Sequence, residues 1–149
     1  MPIINGSMTI KEGAVVKVAV GLSYSSMYEL RQAQRPVPAP REVSALLDTG
    51  AEVTCADSAL IQDLELPYDS SILANVPATG GLTFGMLFDA SLTILHPSGR
   101  RQDHLVFRNK SLLELSLGVL DYQILIGRDV LAKCMFRYNG MGQRFSIKY

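Results

Sequence analysis

Ala45-Leu46-Leu47-Asp48-Thr49-Gly50-Ala51 carries an apolar run straight into one carboxylate, a small hydroxyl residue and a glycine. Such a run reads as a buried strand that ends in a tight turn. The turn presents Asp48 at the rim of a core. An ionised carboxylate there is costly unless it is hydrogen-bonded or shares its proton. A fold that accepts this cost has a use for the group.

A second stretch answers it downstream: Ile124-Leu125-Ile126-Gly127-Arg128-Asp129-Val130-Leu131. Again an apolar strand meets glycine, followed here by a short helical pattern. Asp-Thr-Gly alone is a weak signal, because tripeptides recur by chance. Flanked by Ala-Leu-Leu and Ala, and joined to Leu-Ile-Gly-Arg-Asp-Val-Leu, it is specific. The combination resembles the retroviral-type (retropepsin-like) aspartic protease family over residues 15–147. That resemblance implies a mainly β fold, a small closed barrel with one or two short helices, active as a symmetric dimer.

The bulk numbers set limits. The chain has 149 residues, 48% of them hydrophobic, and zero formal net charge. This is enough apolar mass for one core and one domain, 1–149. Without a basic excess, nucleic acid is not the expected partner. No apolar run is long enough to span a membrane, and the N-terminus lacks the basic and apolar regions of a signal peptide. The expected location is cytoplasmic. Cys55 and Cys134 are too few for a disulfide scaffold or metal cluster and read as buried free thiols. His96 and His104 lack companion ligands at metal spacing and read as ordinary loop or strand residues. No metal or cofactor is expected.

Along the chain, residues 1–7 read as a loose tail, and 9–20 as a strand with Val16, Val18 and Val20 alternating. Residues 22–41 end in Pro36-Val37-Pro38-Ala39-Pro40 and read as a long surface loop, with a helical turn or two over 26–34. This loop departs from the family pattern; it is either an exposed insertion or a substrate- or dimer-side element. Residues 42–47 are strand, 53–55 strand again, and 58–64 a helix capped by Asp57 or Ser58 with Leu60, Ile61 and Leu64 inward. Strands follow at 71–76 and 82–95 around a Thr79-Gly80-Gly81 turn. Further strands are expected at 104–107, 122–126, 135–138 and 144–148, with a helix at 128–133; residues 109–118 are ambiguous. Many short strands with one good helix suggest a small closed β-fold.

Peptide hydrolysis by carboxylates needs two of them: one activates water, and its protonated partner polarises the carbonyl. Two such groups a few Å apart share a proton and titrate as a pair. This chain holds one Asp-Thr-Gly, and Asp129 sits in a different context. The resemblance therefore implies a homodimer in which Asp48 meets its twin. It further implies that Thr49 interlocks with its twin, and that Gly50 lets water or peptide approach closely. Ala51 would floor the cleft. Arg128 would pair with Glu52, the alternative being two independent surface charges. Asp129 would cap or brace the last helix. Residues 76–85 resemble the protease flap, with Gly80 and Gly81 near the tip; Pro77, which removes a donor beside that tip, departs from the pattern. Ala51, Glu52, Val53, Thr79, Gly80, Gly81, Leu82 and Ile126 are the expected contacts to a peptide or protein substrate. Leu47, Ile72, Val76 and Phe84 line subsites or pack the core. Residues 145–149, with 2–5, would join a dimer sheet.

The implied activity is aspartic endopeptidase. The alternative is a catalytically inactive retropepsin-like peptide-binding or dimerisation module, against which the intact Asp48-Thr49-Gly50 argues. A Ser-His-Asp hydrolase would need a positioned serine and histidine, which this sequence does not signal.

Overall fold

Val16, Val18 and Val20 alternate with smaller or polar residues, so β2 (Val15–Gly21) buries one face and pairs through both edges. On one side it meets β3 (Arg41–Leu47), antiparallel from Val15↔Leu46 to Val20↔Arg41. On the other it meets β6 (Gly81–Ile94), from Val18↔Ile94 to Gly21↔Ser91. The remaining members are β4 (Cys55–Asp57), β7 (Leu105–Leu115) and β8 (Ile124–Ile126). The order β2-β3-β8-β4-β7-β6 returns to β2 and closes a six-stranded barrel. Closure leaves these strands no free edge. The computed structural model describes residues 1–77 and 80–149. Among the described residues no helix is long and apolar enough to cross a membrane.

β8 is the strand on which both motifs depend. Ile124, Leu125 and Ile126 are all buried, because β8 has a core on each face. Ile124 and Ile126 join Val18, Ala45, Leu92 and Leu112 inside the barrel, whereas Leu125 joins Ala51, Cys55, Val76 and Leu113 in a second cluster. β8 runs parallel to β3 (Ala45↔Ile124 to Leu47↔Ile126) and antiparallel to β4.

β5 (Tyr68–Val76) pairs with β6 alone, from Tyr68↔Phe88 to Val76↔Gly81, so this hairpin projects beyond the barrel. Its turn is tied by the Gly80 N–H to Pro77 O (3.0 Å). Gly80 and Gly81 have φ of 95° and 118°, which L side chains rarely adopt. The helices are short: α1 (Tyr24–Gln32), α2 (Ser58–Asp63) and α3 (Arg128–Leu131).

Several sequence expectations need correction. Residues 1–7 are no loose tail: β1 (Ile3–Ser7) pairs with β10 (Arg144–Lys148), which pairs with β9 (Met135–Asn139). Burial of Ile4 beside Phe145 and Ile147 accounts for the order. The long loop 22–41 contains α1, a full helix of nine residues, started by Ser23, whose side chain accepts the Ser26 N–H. No α1 residue is fully buried, but Met27 and Leu30 rest against the barrel core. The strand expected at 53–55 forms two residues later. Leu60, Ile61 and Leu64 face inward as expected. Asp57 makes no side-chain cap to α2 and instead accepts the Leu117 N–H at 2.7 Å. Residues 105–115 are one continuous strand, so the ambiguous segment 109–118 is strand as far as Leu115 and turn beyond it.

Candidate active site

Asp48 follows Leu47, the last residue of β3. Its N–H donates to Ile126 O (2.9 Å), one step beyond the parallel pairing, while the Leu47 N–H donates across to Ala14 O (2.9 Å). The strand end is thus fixed from both sides before the chain turns. In the turn, the Gly50 N–H donates to Asp48 Oδ1 at 2.9 Å and the Ala51 N–H to Asp48 O at 3.3 Å. The carboxylate is half-buried, and Thr49 beside it is exposed. A Cβ at Gly50 would stand 3.1 Å from Oδ1 and 3.5 Å from Pro77 Cγ. Gly50 therefore sits where the carboxylate and the root of the hairpin converge.

Gly127 and Arg128 cross beneath this turn. The Arg128 N–H donates to Ala51 O (2.9 Å). Its guanidinium donates from Nη1 to Thr49 O (3.0 Å) and Gly50 O (3.3 Å). The expected Glu52–Arg128 pair is not formed. Glu52 Oε2 instead accepts the Asn75 N–H (3.0 Å), and the Glu52 N–H donates to Asn75 O (3.0 Å). The reason is orientation: after Ala51 the chain runs alongside β5, so Glu52 meets that strand's backbone first.

Asp129 braces the site rather than capping α3. It accepts the Thr54 hydroxyl at 2.7 Å and is ion-paired with Lys110. Thr54 Oγ1 also accepts the Gly127 N–H at 3.1 Å. Cys55, one residue on, donates to Val53 O, and its thiol is pushed up to about 12, by burial first and then by the charges of Asp129 and Asp48. It is an inert packing residue. The Tyr122 phenol is raised above its ordinary value, mainly by burial and then by the charge of Asp48.

The expected substrate contacts divide. Gly80 and Gly81 sit at the hairpin turn, and Val53 is half-buried. Thr79 lies outside the described residues. Ala51 and Ile126 are 0% exposed, as members of the two core clusters, and so offer no side-chain surface to a peptide. Leu47 and Val76 are likewise core. Leu82 is 70% exposed and shares with Leu73 and Phe84 the hairpin face turned away from Ala74 and Val76. The alternation of a strand puts it there. The sequence reading missed Thr54, Lys110, Asn75 and Tyr122 as neighbours of the turn; only the position of Thr54 within the Asp48 motif signals one of them.

Among known proteins, no family model matches the chain and no curated protein is similar to it.

His96 and His104, read as ordinary loop or strand residues, are brought together: the His96 N–H donates to His104 Nδ1 (3.0 Å), and the His96 ring contacts Ile3 O through Nε2 (3.1 Å). They fasten the β6–β7 turn to β1. Among the described residues no group of three or more His, Cys, Asp or Glu side chains is placed to hold a metal ion. What the turn offers chemically is one carboxylate, half-open, with one oxygen already hydrogen-bonded.

Proposed function

We propose that the chain is an aspartic endopeptidase of the retropepsin kind, in which two copies each contribute Asp48. The observation that carries this reading is the turn itself. A half-exposed carboxylate is presented at a strand end, held by the Gly50 N–H and braced from below by Arg128. Such bracing costs order and is what a group needing fixed geometry requires. One carboxylate is insufficient for the chemistry, so a second copy completes the site.

In the pair, one Asp48 is ionised and takes a proton from water as it attacks the peptide carbonyl. The other is protonated, donates to the carbonyl oxygen and later serves the leaving amine. Two features support a second copy here. Phe136 and Tyr138 of β9 border a hollow of about 400 Å³ together with Asp48 and Thr49. β9 is also an edge of its three-stranded sheet, β1-β10-β9, with free backbone groups to offer. The expected joining of 145–149 to a dimer sheet is less well supported, since β10 already has partners on both sides within the chain. The β5–β6 hairpin, rooted beside Gly50, suits closure over an extended peptide. The free thiols Cys55 and Cys134 suit a reducing compartment such as the cytoplasm.

The test is cleavage of an apolar peptide library from acidic to neutral pH by the wild type and Asp48→Asn. Expected are a bell-shaped pH profile, activity that falls faster than linearly on dilution, and none from the variant. A confirmed dimer without cleavage assigns the chain to peptide binding instead. Activity that survives Asp48→Asn overturns the reading.

A further inference from the structure

A second cleft lies at the other end of β3 from Asp48, separated by the strand's seven residues, about 23 Å. Its volume is about 600 Å³, within the range of small-molecule sites. One wall is α1, through Tyr24 and Arg31; the opposite wall is β6, through Ser91 and Thr93, and the floor edge is the turn carrying Arg101 and His104.

The polar side chains that line it are guanidiniums, hydroxyls and one imidazole. Among the described residues no acidic side chain lines the cleft. The ion pairs among the described residues are Arg41–Asp63, Arg100–Asp103 and Lys110–Asp129, so the guanidiniums of Arg31 and Arg101 are unpaired. A third guanidinium, of Arg108, stacks on the Tyr24 ring at 5.4 Å and adds positive charge at the rim. His104 Nδ1 accepts the His96 N–H, which leaves Nε2 as its donor. Ser91, 8% exposed, lines the cleft on the same face of β6 as Thr93 and offers a hydroxyl to it. Cations and hydroxyl donors converging on one hollow, with no carboxylate among them, are the complement of an oxyanion bearing several oxygens. The Tyr24 ring beside them provides an apolar surface for the remainder of a ligand.

We propose that this cleft binds a small phosphate ester, with Arg31 and Arg101 clamping the phosphate and Ser91, Thr93 and His104 Nε2 donating beside them. The proposal accounts for α1, a helix that buries no residue completely and that the barrel does not need for closure. It stands independently of the chemistry at Asp48.

The experiment is a titration of the full chain, labelled with ¹⁵N, with phenyl phosphate, inorganic phosphate and phenol in parallel. Saturable binding of phenyl phosphate is expected, with weaker binding of inorganic phosphate and none of phenol. Amide shifts should concentrate at Ser91, Thr93, Arg101 and His104. Arg31→Gln and Arg101→Gln should each weaken binding about tenfold. Neither side chain has an ion-pair partner among the described residues, so the thermal midpoint should not move. No saturation by about 10 mM phenyl phosphate, shifts scattered over other arginines, or wild-type affinity in both variants would each overturn the site. The mapping on the wild type decides the matter even if a variant misfolds.

Discussion

The Thr54 hydroxyl donates to Asp129 Oδ1 at 2.7 Å while accepting the Gly127 N–H at 3.1 Å, so one buried side chain joins the segment after the Asp48 turn to the start of α3. Thr54→Val keeps the shape and deletes both bonds. It leaves the buried Gly127 N–H without an acceptor, so the expected loss is about 2 kcal/mol of stability. Denaturant unfolding with an unchanged slope checks it; a loss under about 0.5 kcal/mol would mean that the hydroxyl is not the fastener.

Gly127 is fixed by space rather than by backbone angle. A Cβ there would stand 2.5 Å from the Val53 carbonyl carbon and 2.6 Å from its oxygen, and these backbone atoms cannot yield as a side chain does. Gly127→Ala should therefore cost about 3 kcal/mol or prevent folding. Gly118 is the control, since a Cβ there meets nothing within 4 Å. Gly118→Ala should be neutral or stabilise by about 0.5 kcal/mol, read from the shift in thermal midpoint.

Arg128 and Glu52 should behave independently. Arg128→Ala removes the donors to Thr49 O and Gly50 O; being exposed, it should cost only about 1 kcal/mol of stability, with a disproportionate loss of kcat if the turn is catalytic. Glu52→Gln retains an oxygen for the Asn75 N–H and should change stability by less than about 0.5 kcal/mol. A double-mutant cycle should give a coupling near zero. Strong coupling would restore the ion pair that the sequence led one to expect.

Alkaline pH should unfold the protein early. Burial raises the Cys55 thiol from 9.0 to about 12, and the Tyr149 phenol from 10.0 to about 12. Below pH 9 the thiol keeps its proton folded or unfolded, so its contribution is fully present. Above pH 9 the unfolded chain ionises and the folded chain does not, and stability falls as pH climbs toward 12. Urea midpoints measured at rising pH should decline from about pH 9, and Cys55→Ala should delay the onset until Tyr149 takes over. In the native state Cys55 should resist thiol reagents at neutral pH.

The barrel was legible because its signals are local. Val16, Val18 and Val20 alternate, Ile124-Leu125-Ile126 is too apolar for a one-sided strand, and the two motifs each end at a glycine. The positions of β3, β6, β9 and β10 followed within a residue or two. Long-range pairing was hidden. Nothing near Ile3 announces Lys148 as its partner, and nothing near Glu52 announces Asn75. α1 was half visible, since Ser23 is a good cap but the following nine residues lack a deep apolar stripe. The Asp48 turn was read correctly as a turn, whereas the burial of Ala51 and Ile126 and the exposure of Leu82 were not legible in it. Family likeness supplies positions but not which way a strand residue points.

β6 changes character along its length. Residues 81–86 are bonded to β5 alone, 87 and 88 to β5 and β7, and 91–94 are held within the barrel between β2 and β7. Amides in the first part exchange with solvent when only the hairpin lifts; those in the last part must wait for the barrel to come apart. One continuous strand thus spans two opening free energies, with Leu87 at the boundary. Lifting the outer leaf leaves the barrel ladder intact and breaks the packing of Ala74 and Val76 in the second cluster and the two Glu52–Asn75 hydrogen bonds.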